Sequence, residues 1–563
     1  MATILNEYGY PIDGCEITYG HETVSPECQI SKRHYPKNTF YKGASRVDLK
    51  QWQPPDYSAD DSYLHERDII TARIKDLYRN CEIVRGSTNQ FVDYVVGDHF
   101  RIESSPCYQL LGWDEDVACD WADRVEKLWR LDTESKNNWI HAGGELTFTE
   151  LVQSVVRNFR IFGENFSIIY FLDRPDSRPF KTSVGLIDPS RIFTPQNLDE
   201  SGDIRAGIRR NRFGNPLGYF IHESHPSEMC RKFFERDEDR YIFVRKRNQI
   251  GREQIIHSYV KEIPSQSRGV SAFANSIRRL KLLEKYEDAT LQTAILQSSV
   301  AATIESDYPD VGNVFNAAPD GPQTYCDHYM DQSGKYHDEL KFNFEGSNVA
   351  RLWNGEKFKL HSAQMATTDF ARFERSMLTH LARALGTSVH HLTQDFSDTN
   401  FSGARAEMLS TYKNIQTNRY QIAEDFAQRV YCAWLEENIS SGRITLPNIS
   451  DSNVAWAFFL ENRDAVSNAN WYGSIKDEID RSKQIDAYET ELRLGLTSRK
   501  AYAAEVKNED WRDNEKQLIK EERWINEERV ANGLEPLSHA EFRDNRELSG
   551  TTSETITILP EEN

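Results

Sequence analysis

The sequence predicts an α+β protein, on three features of its patterning. Helical and strand-like periodicities alternate between Ser62 and Arg268. Two long helical stretches then bracket a turn-punctuated insert at 302–363. A third long helix starts at about Ser402, directly out of a small polar loop.

Taken in order, residues 1–60 are rich in Pro, Tyr and polar side chains and end in "QWQPPDYSADD", which reads as a surface arm with little core of its own. "HERDIITARIKDLYRN" and "GELTFTELVQSVVRNFRIFG" have helical spacing. "NFSIIYFL", "KTSVGLID" and "PLGYFIHE" read as strands, the last one after the turn "RFGNP". Ser271 is placed to cap a helix running to about Val300. Its apolar residues Phe273, Ile277, Leu280, Leu283, Leu291 and Ala294 recur at helical spacing over about 45 Å. In 302–363, "DYPDVGNVF", "APDGPQ", "DQSGKYHDE" and "FEGSN" separate short strands. A helix from Met365 to Leu385 follows, with Gly386 as its terminating residue. The third helix runs to about Asn438 on Met408, Tyr412, Ile415, Ile422, Phe426, Val430 and Trp434. From about Trp471 the chain is helical and charged, closing in the polar tail "SGTTSETITILPEEN".

The composition narrows the function. Hydrophobic content of 38% with 28% charged residues is that of a folded globular chain. With 88 acidic against 68 basic side chains the net charge is −20, which opposes wrapping nucleic acid unless cations are segregated onto one face. The eight cysteines form no CxxC pair and no zinc spacing, so reduced thiols of a cytosolic product are expected. The amino terminus has no signal-peptide pattern and no run suits a membrane span. Phosphate-loop, zincin, nucleophile-elbow and dinucleotide motifs are absent. The one metal candidate is Cys326, Asp327, His328, Asp331, His337, Asp338 and Glu339. Carboxylate and imidazole suit divalent ions, but the spacing fits no template and also reads as a solvated loop. A metal-dependent hydrolase built on 326–339 is therefore the alternative function. The pair His390–His391 follows a helix end, where the dipole favours histidine. Basic runs occur at 209–212, 245–252 and 278–281; the second is the densest, and all three also read as solvated faces.

"ARIKDLYRN" with "VVGDHFRI", "FGEN" at Phe162–Asn165, "LIDPSRI" at Leu186–Ile192 and "IRAGIRRNRFGNPLGYFIHE" at Ile204–Glu223, in this order, together resemble the lambda-type portal proteins of tailed bacteriophages. "IIHSYVKEIPSQSRGVSAFANSIRRLKLLEKYEDATL" carries His257, Gln266, Arg268 and Gly269 ahead of the long helix. "DFSDTNFSGARAEML" matches the family's D-[FY]-S-x-x-N-[FY]-S-x-x-R run, and "WYGSIKDEIDRSKQIDAYETELRLGLTSRKAYAAE" is similar to its carboxy-terminal region. The matches run from about 70 to 540. The arm and the insert resemble nothing in the family, and Ser271 stands where the family often has Pro.

The resemblance implies a portal fold and a structural, non-enzymatic protein without cofactor. By this likeness 1–60 is an amino-terminal arm, 61–268 the first part of a wing, and 269–301 and 364–387 the two stem helices. The insert 302–363 is a clip, 388–402 a tunnel loop, 403–470 a long wing helix with the rest of the wing, 471–548 a crown and 549–563 a flexible tail. About twelve copies form a ring at one capsid vertex, made in the host bacterial cytoplasm and carried in the virion. Double-stranded DNA passes through without sequence-specific contact during packaging and ejection. The major capsid protein, the terminase motor and then a head–tail connector are the expected protein partners, with no membrane. Asp395, Ser397, Asp398, Thr399, Asn400 and Ser402 are expected to face the DNA, in a stretch without Lys or Arg that also reads as an ordinary acidic surface loop. Leu280, Leu283 and Ala294 are expected to pack the stem, and Arg278, Arg279 and Lys281 to make transient phosphate contacts.

Overall fold

The computed structural model describes residues 51, 54–173, 178–195, 198, 200, 203–229, 241–299, 335, 367–397, 399–474, 481–503 and 511–538, with strand segments at 2–5, 11–17, 302–306 and 356–360. Met1–Tyr57 forms one unit, in which strands Ala2–Leu5 and Pro11–Ile17 pair antiparallel. Ser58–Asn563 forms the other, a mixture of helices and small antiparallel sheets.

The larger core of this second unit is helical. Helices Glu82–Val95, Glu115–Thr133 and Phe148–Phe162 pack with Asp425–Ser440 and Ser452–Glu461 around Trp121, Trp129, Phe148, Phe426, Tyr431 and Trp434. Thr147 starts one of these helices as a capping box, its hydroxyl accepting from the Glu150 amide while the Glu150 carboxylate accepts from the Thr147 amide. Gly163 ends it at φ +80°; a Cβ there would lie 2.1 Å from the Val270 carbonyl carbon.

Two sheets form a second core. Strands Glu164–Phe171, Thr182–Ile187 and Ile255–Tyr259 make one, with Glu164–Phe171 central. Ile204–Arg205, Ile208–Arg210, Pro216–His222 and Tyr241–Arg245 make the other, in that order. Phe166, Ile187, Ile208, Tyr219 and Ile255 fill the space between them. Trp471 lies in strand Ala469–Tyr472, which pairs with Arg101–Ser104, and its ring is stacked on Phe100 at 5.6 Å. The expected start of the helical carboxy-terminal region at Trp471 is thereby corrected: a buried tryptophan packed among Phe100, Trp129, Phe148 and Tyr431 favours the ladder.

A third core joins the long helices to this body. Helix Ile277–Ser299 starts after a 3-10 turn at Ala274–Ser276, so Ser271 is not its cap. Its hydroxyl instead donates to the Arg160 carbonyl and accepts from the Phe273 amide. Leu280 and Leu283 pack with Leu378, Leu381 and Leu385 of helix Thr367–Leu385 and with Ile74, Leu77 and Val84. Farther along, Tyr286 meets Phe373 and Phe370 at ring distances of 4.8 and 5.7 Å. Strands Ala302–Ser306 and Glu356–Leu360, which lie in the chain between the two helices, pair antiparallel from Ala302↔Leu360 to Ser306↔Glu356.

Candidate functional site

The polar loop is held by a cap at each end. Ser388 caps the short helix Val389–Thr393, its hydroxyl accepting from the His391 amide at 3.2 Å. Gln394 then turns the chain at φ +56°. The Asp395 carboxylate accepts from the Ser397 amide at 3.0 Å, and bonds from Ser397, the hydroxyl's first, hold its carboxyl below the usual range. Asn400 caps helix Phe401–Asn418 by accepting from the Gly403 amide at 2.8 Å. A Cβ on Gly403 would sit 2.9 Å from that oxygen.

Behind the loop, helices are tied to one another. His390 Nδ1 lies 2.8 Å from Glu407 and its Nε2 3.3 Å from the Arg375 guanidinium. His391 is buried, 3.4 Å from the Tyr94 hydroxyl and edge-on to Phe396. These partners hold the two histidines in the last turn of helix Val389–Thr393. The Asn414 amide donates to the Gly386 carbonyl at 2.9 Å. The helix runs on from Phe401–Asn418 through a π-helical turn at Arg419–Glu424 into Asp425–Ser440. Arg419 sits in that turn, donating to the carbonyls of Val95, Tyr94 and Ser474.

Asp395, Ser397, Asn400 and Ser402 are exposed and Thr399 is half-buried, while Asp398 lies outside the described residues. Ala294 is half-buried, unlike Leu280 and Leu283, which are buried within the chain's own core. Arg278, Arg279 and Lys281 are exposed, with Lys281 paired to Glu284 at 2.8 Å. All seven residues of the metal candidate between Cys326 and Glu339 lie outside the described residues. Among the described residues, no group of His, Cys, Asp and Glu could hold a metal and no helix is long and apolar enough to cross a membrane.

Residue reading did not foresee a buried ionic knot where the body meets helix Ile277–Ser299. Glu164 is 1% exposed and Arg268 fully buried. Arg268 grips Glu164 through Nη2 at 2.6 Å and Nε at 2.9 Å, and its Nη atoms also donate to the carbonyls of Pro189, Ile192 and Ala206. Arg67, His257 and the Gly269 amide complete the shell of Glu164. Gln266 donates to the Arg268 carbonyl at 2.8 Å, and Asp60 accepts from Ser267. A Cβ on Gly269 would lie 2.1 Å from the Gly163 oxygen. Four stretches of the resemblance, "FGEN", "LIDPSRI", "IRAG" and "QSRG", converge here. Burial alone would raise the Glu164 carboxyl, but Arg268, His257 and Arg67 hold it well below the carboxylate range. Burial pushes His257 down to about 4, against the pull of Glu164.

Residues 46–419 match the family described as phage portal protein, lambda family. The chain is 28% identical over 517 residues to the portal protein of Escherichia phage N15, covering 91% of this chain and 94% of that one. It is 27% identical over 519 residues to portal protein B of Escherichia phage lambda, covering 91% and 93%. Among solved structures it is similar to a chain from the neck of an empty gene transfer agent particle, at 12% identity and TM-score 0.42, covering 84% of this chain and 100% of that one. A chain from the native gene transfer agent virion aligns at 11% identity and TM-score 0.40, covering 77% and 92%.

Proposed function

The chain belongs to the lambda family of phage portal proteins, whose role is structural, and from that membership we propose that about twelve copies close into a ring around a channel for double-stranded DNA. The ring sits at one capsid vertex of the virion, against the major capsid protein. The observation that carries this reading is the family match over 46–419. Apolar side chains left open on the long helix pair support it: Leu291 is 62% exposed, Leu282 51% and Phe373 44%. A neighbouring copy in a ring would cover them.

In this reading helices Ile277–Ser299 and Thr367–Leu385 are the stem. The insert 302–363 is the clip, docking the terminase motor during packaging and the head–tail connector afterwards. Residues 388–402 form the tunnel loop, 61–268 and 403–470 the wing, and 471–548 the crown; 1–60 is an arm and 549–563 a tail. The ring carries out no chemistry of its own, and energy for packaging comes from the separate motor.

The loop explains how DNA can slide. A surface that meets DNA in every register must neither read bases nor grip phosphates. Asp395 repels phosphate, Ser397, Asn400 and Ser402 bind it weakly, and the stretch has no Lys or Arg. Changing Asp395 and Asp398 to Lys puts about 24 cations around a bore filled by a polyanion. Particles of this variant are expected to assemble normally but to package and eject DNA slowly, with the defect easing as salt rises. Wild-type rates at low salt would remove the loop from the DNA path.

A further inference from the structure

Two basic runs that the channel reading leaves unused, at 209–212 and 245–252, meet on one sheet face. Arg209 is in register with Gly218, and Gly218 with Arg245, so three neighbouring strands present Arg, Gly and Arg on the same side. The glycine leaves a gap that an aromatic ring fills: a Cβ on Gly218 would lie 2.4 Å from Phe243 Cζ. A concavity of about 560 Å3 opens here between Arg209 and Arg245, with Phe243, Pro216 and Leu217 as its apolar floor and Lys246 alongside. Arg209 and Arg245 are exposed, and among the described residues neither has a carboxylate within ion-pair distance. Close by, Phe213 is 78% exposed beneath the Arg212 guanidinium, 4.6 Å from its ring.

We propose that this face docks an acidic, extended segment of another polypeptide. Charge complementarity carries the choice of an anionic partner: cations at 209, 245 and 247 gather on one face of a chain whose net charge is −20, and among the described residues Arg247 is paired with Glu253 at 3.1 Å while Arg209 and Arg245 have no carboxylate within ion-pair distance. The floor decides between anions. A DNA backbone takes Arg and Lys but offers little to a phenylalanine, a proline and a leucine. Arginine set among aromatic and aliphatic side chains is instead the make-up of a protein-binding patch. An extended segment presents alternate carboxylates on one side at about 7 Å, each able to take a guanidinium fork in two parallel bonds. The methylene stems of those acidic side chains, and the backbone between them, lie over Phe243 and Leu217.

The test uses the full-length protein and three fluorescent probes: a peptide alternating Glu and Leu, its Gln–Leu counterpart, and a 20-base-pair duplex. Anisotropy is expected to show the acidic peptide bound and the neutral peptide not. In Arg209→Gln/Arg245→Gln the acidic peptide is expected to bind at least tenfold more weakly. In Arg130→Gln/Lys136→Gln, which removes the same charge from exposed positions elsewhere, it is expected to bind as in the wild type. Both changed pairs are exposed, and circular dichroism checks that the fold is kept. An acidic peptide that does not bind, or that binds the first variant unchanged, overturns the proposal. Duplex binding that falls as far as peptide binding, or falls alone, overturns it in favour of a nucleic-acid face.

Discussion

Glu164 shows what a single residue does in this fold. Its carboxylate is gripped by Arg268, Arg67, His257 and the Gly269 amide, at the point where the body hands over to the first long helix. Removing one partner of a buried charge pair leaves the other uncompensated, at a cost of about 3–5 kcal/mol. Arg268→Ala is expected to lose roughly that much in a urea unfolding titration, and a loss within error would mean the knot is not needed for the fold. The pH dependence follows from His257, buried neutral and pushed down to about 4. Between about 6.5 and 4 the unfolded chain binds a proton that the folded chain refuses, so stability falls as pH drops through that window. Glu164, held below its unfolded value, adds loss in the same direction at still lower pH. The thermal midpoint should fall from pH 7 to pH 5, and His257→Gln should flatten that slope; an equal slope in both would contradict the assignment. Residue reading alone found none of these roles, because a glutamate beside a glycine has no signature until its partners from positions 67, 257 and 268 converge. The resemblance marked Arg268, His257 and Gly269 without saying what they touch.

At the scale of elements, periodicity served where one face of a helix is buried. The spacing of Ile277, Leu280 and Leu283 marked the first long helix, although Phe273, also counted in it, lies before its start; that of Ile422, Phe426 and Val430 marked the third. Helix Glu82–Val95 went unseen because "EIVRGSTNQFVDYV" mixes Gly86 with β-branched residues of low helix propensity, and packing against Phe148–Phe162 supplies what propensity lacks. The π-helical turn at Arg419–Glu424 was likewise hidden, since it answers to three backbone carbonyls from distant segments. Within the polar loop, the caps Ser388 and Asn400 are readable in the sequence, whereas the His390–Glu407 contact is not. Burial separates two roles on the first long helix. Leu283 is 3% exposed within the chain's own core, so Leu283→Asp is expected to unfold the helix pair and lower the helical signal. Leu291 is exposed, so Leu291→Asp should keep the fold and lose the ring. If Leu291→Asp formed normal rings, this face of the stem would not be an interface between copies.

For the whole molecule, composition excluded more than it identified. The net charge of −20 disfavoured wrapping DNA, and with no catalytic motif the residues alone offered only the metal candidate at 326–339 as chemistry. The role became readable only through the order of several stretches along the chain, because a ring is a property of many copies and no single copy encodes its closure in a short motif. The family match over 46–419 supports that reading. The mass of the purified particle tests it most directly. Light scattering should give about 0.8 MDa, the mass of about twelve chains of 65.2 kDa each, with negative-stain images showing rings around an open axis. A protein that stays monomeric or dimeric across concentration and salt, with no rings in the images, would contradict the account.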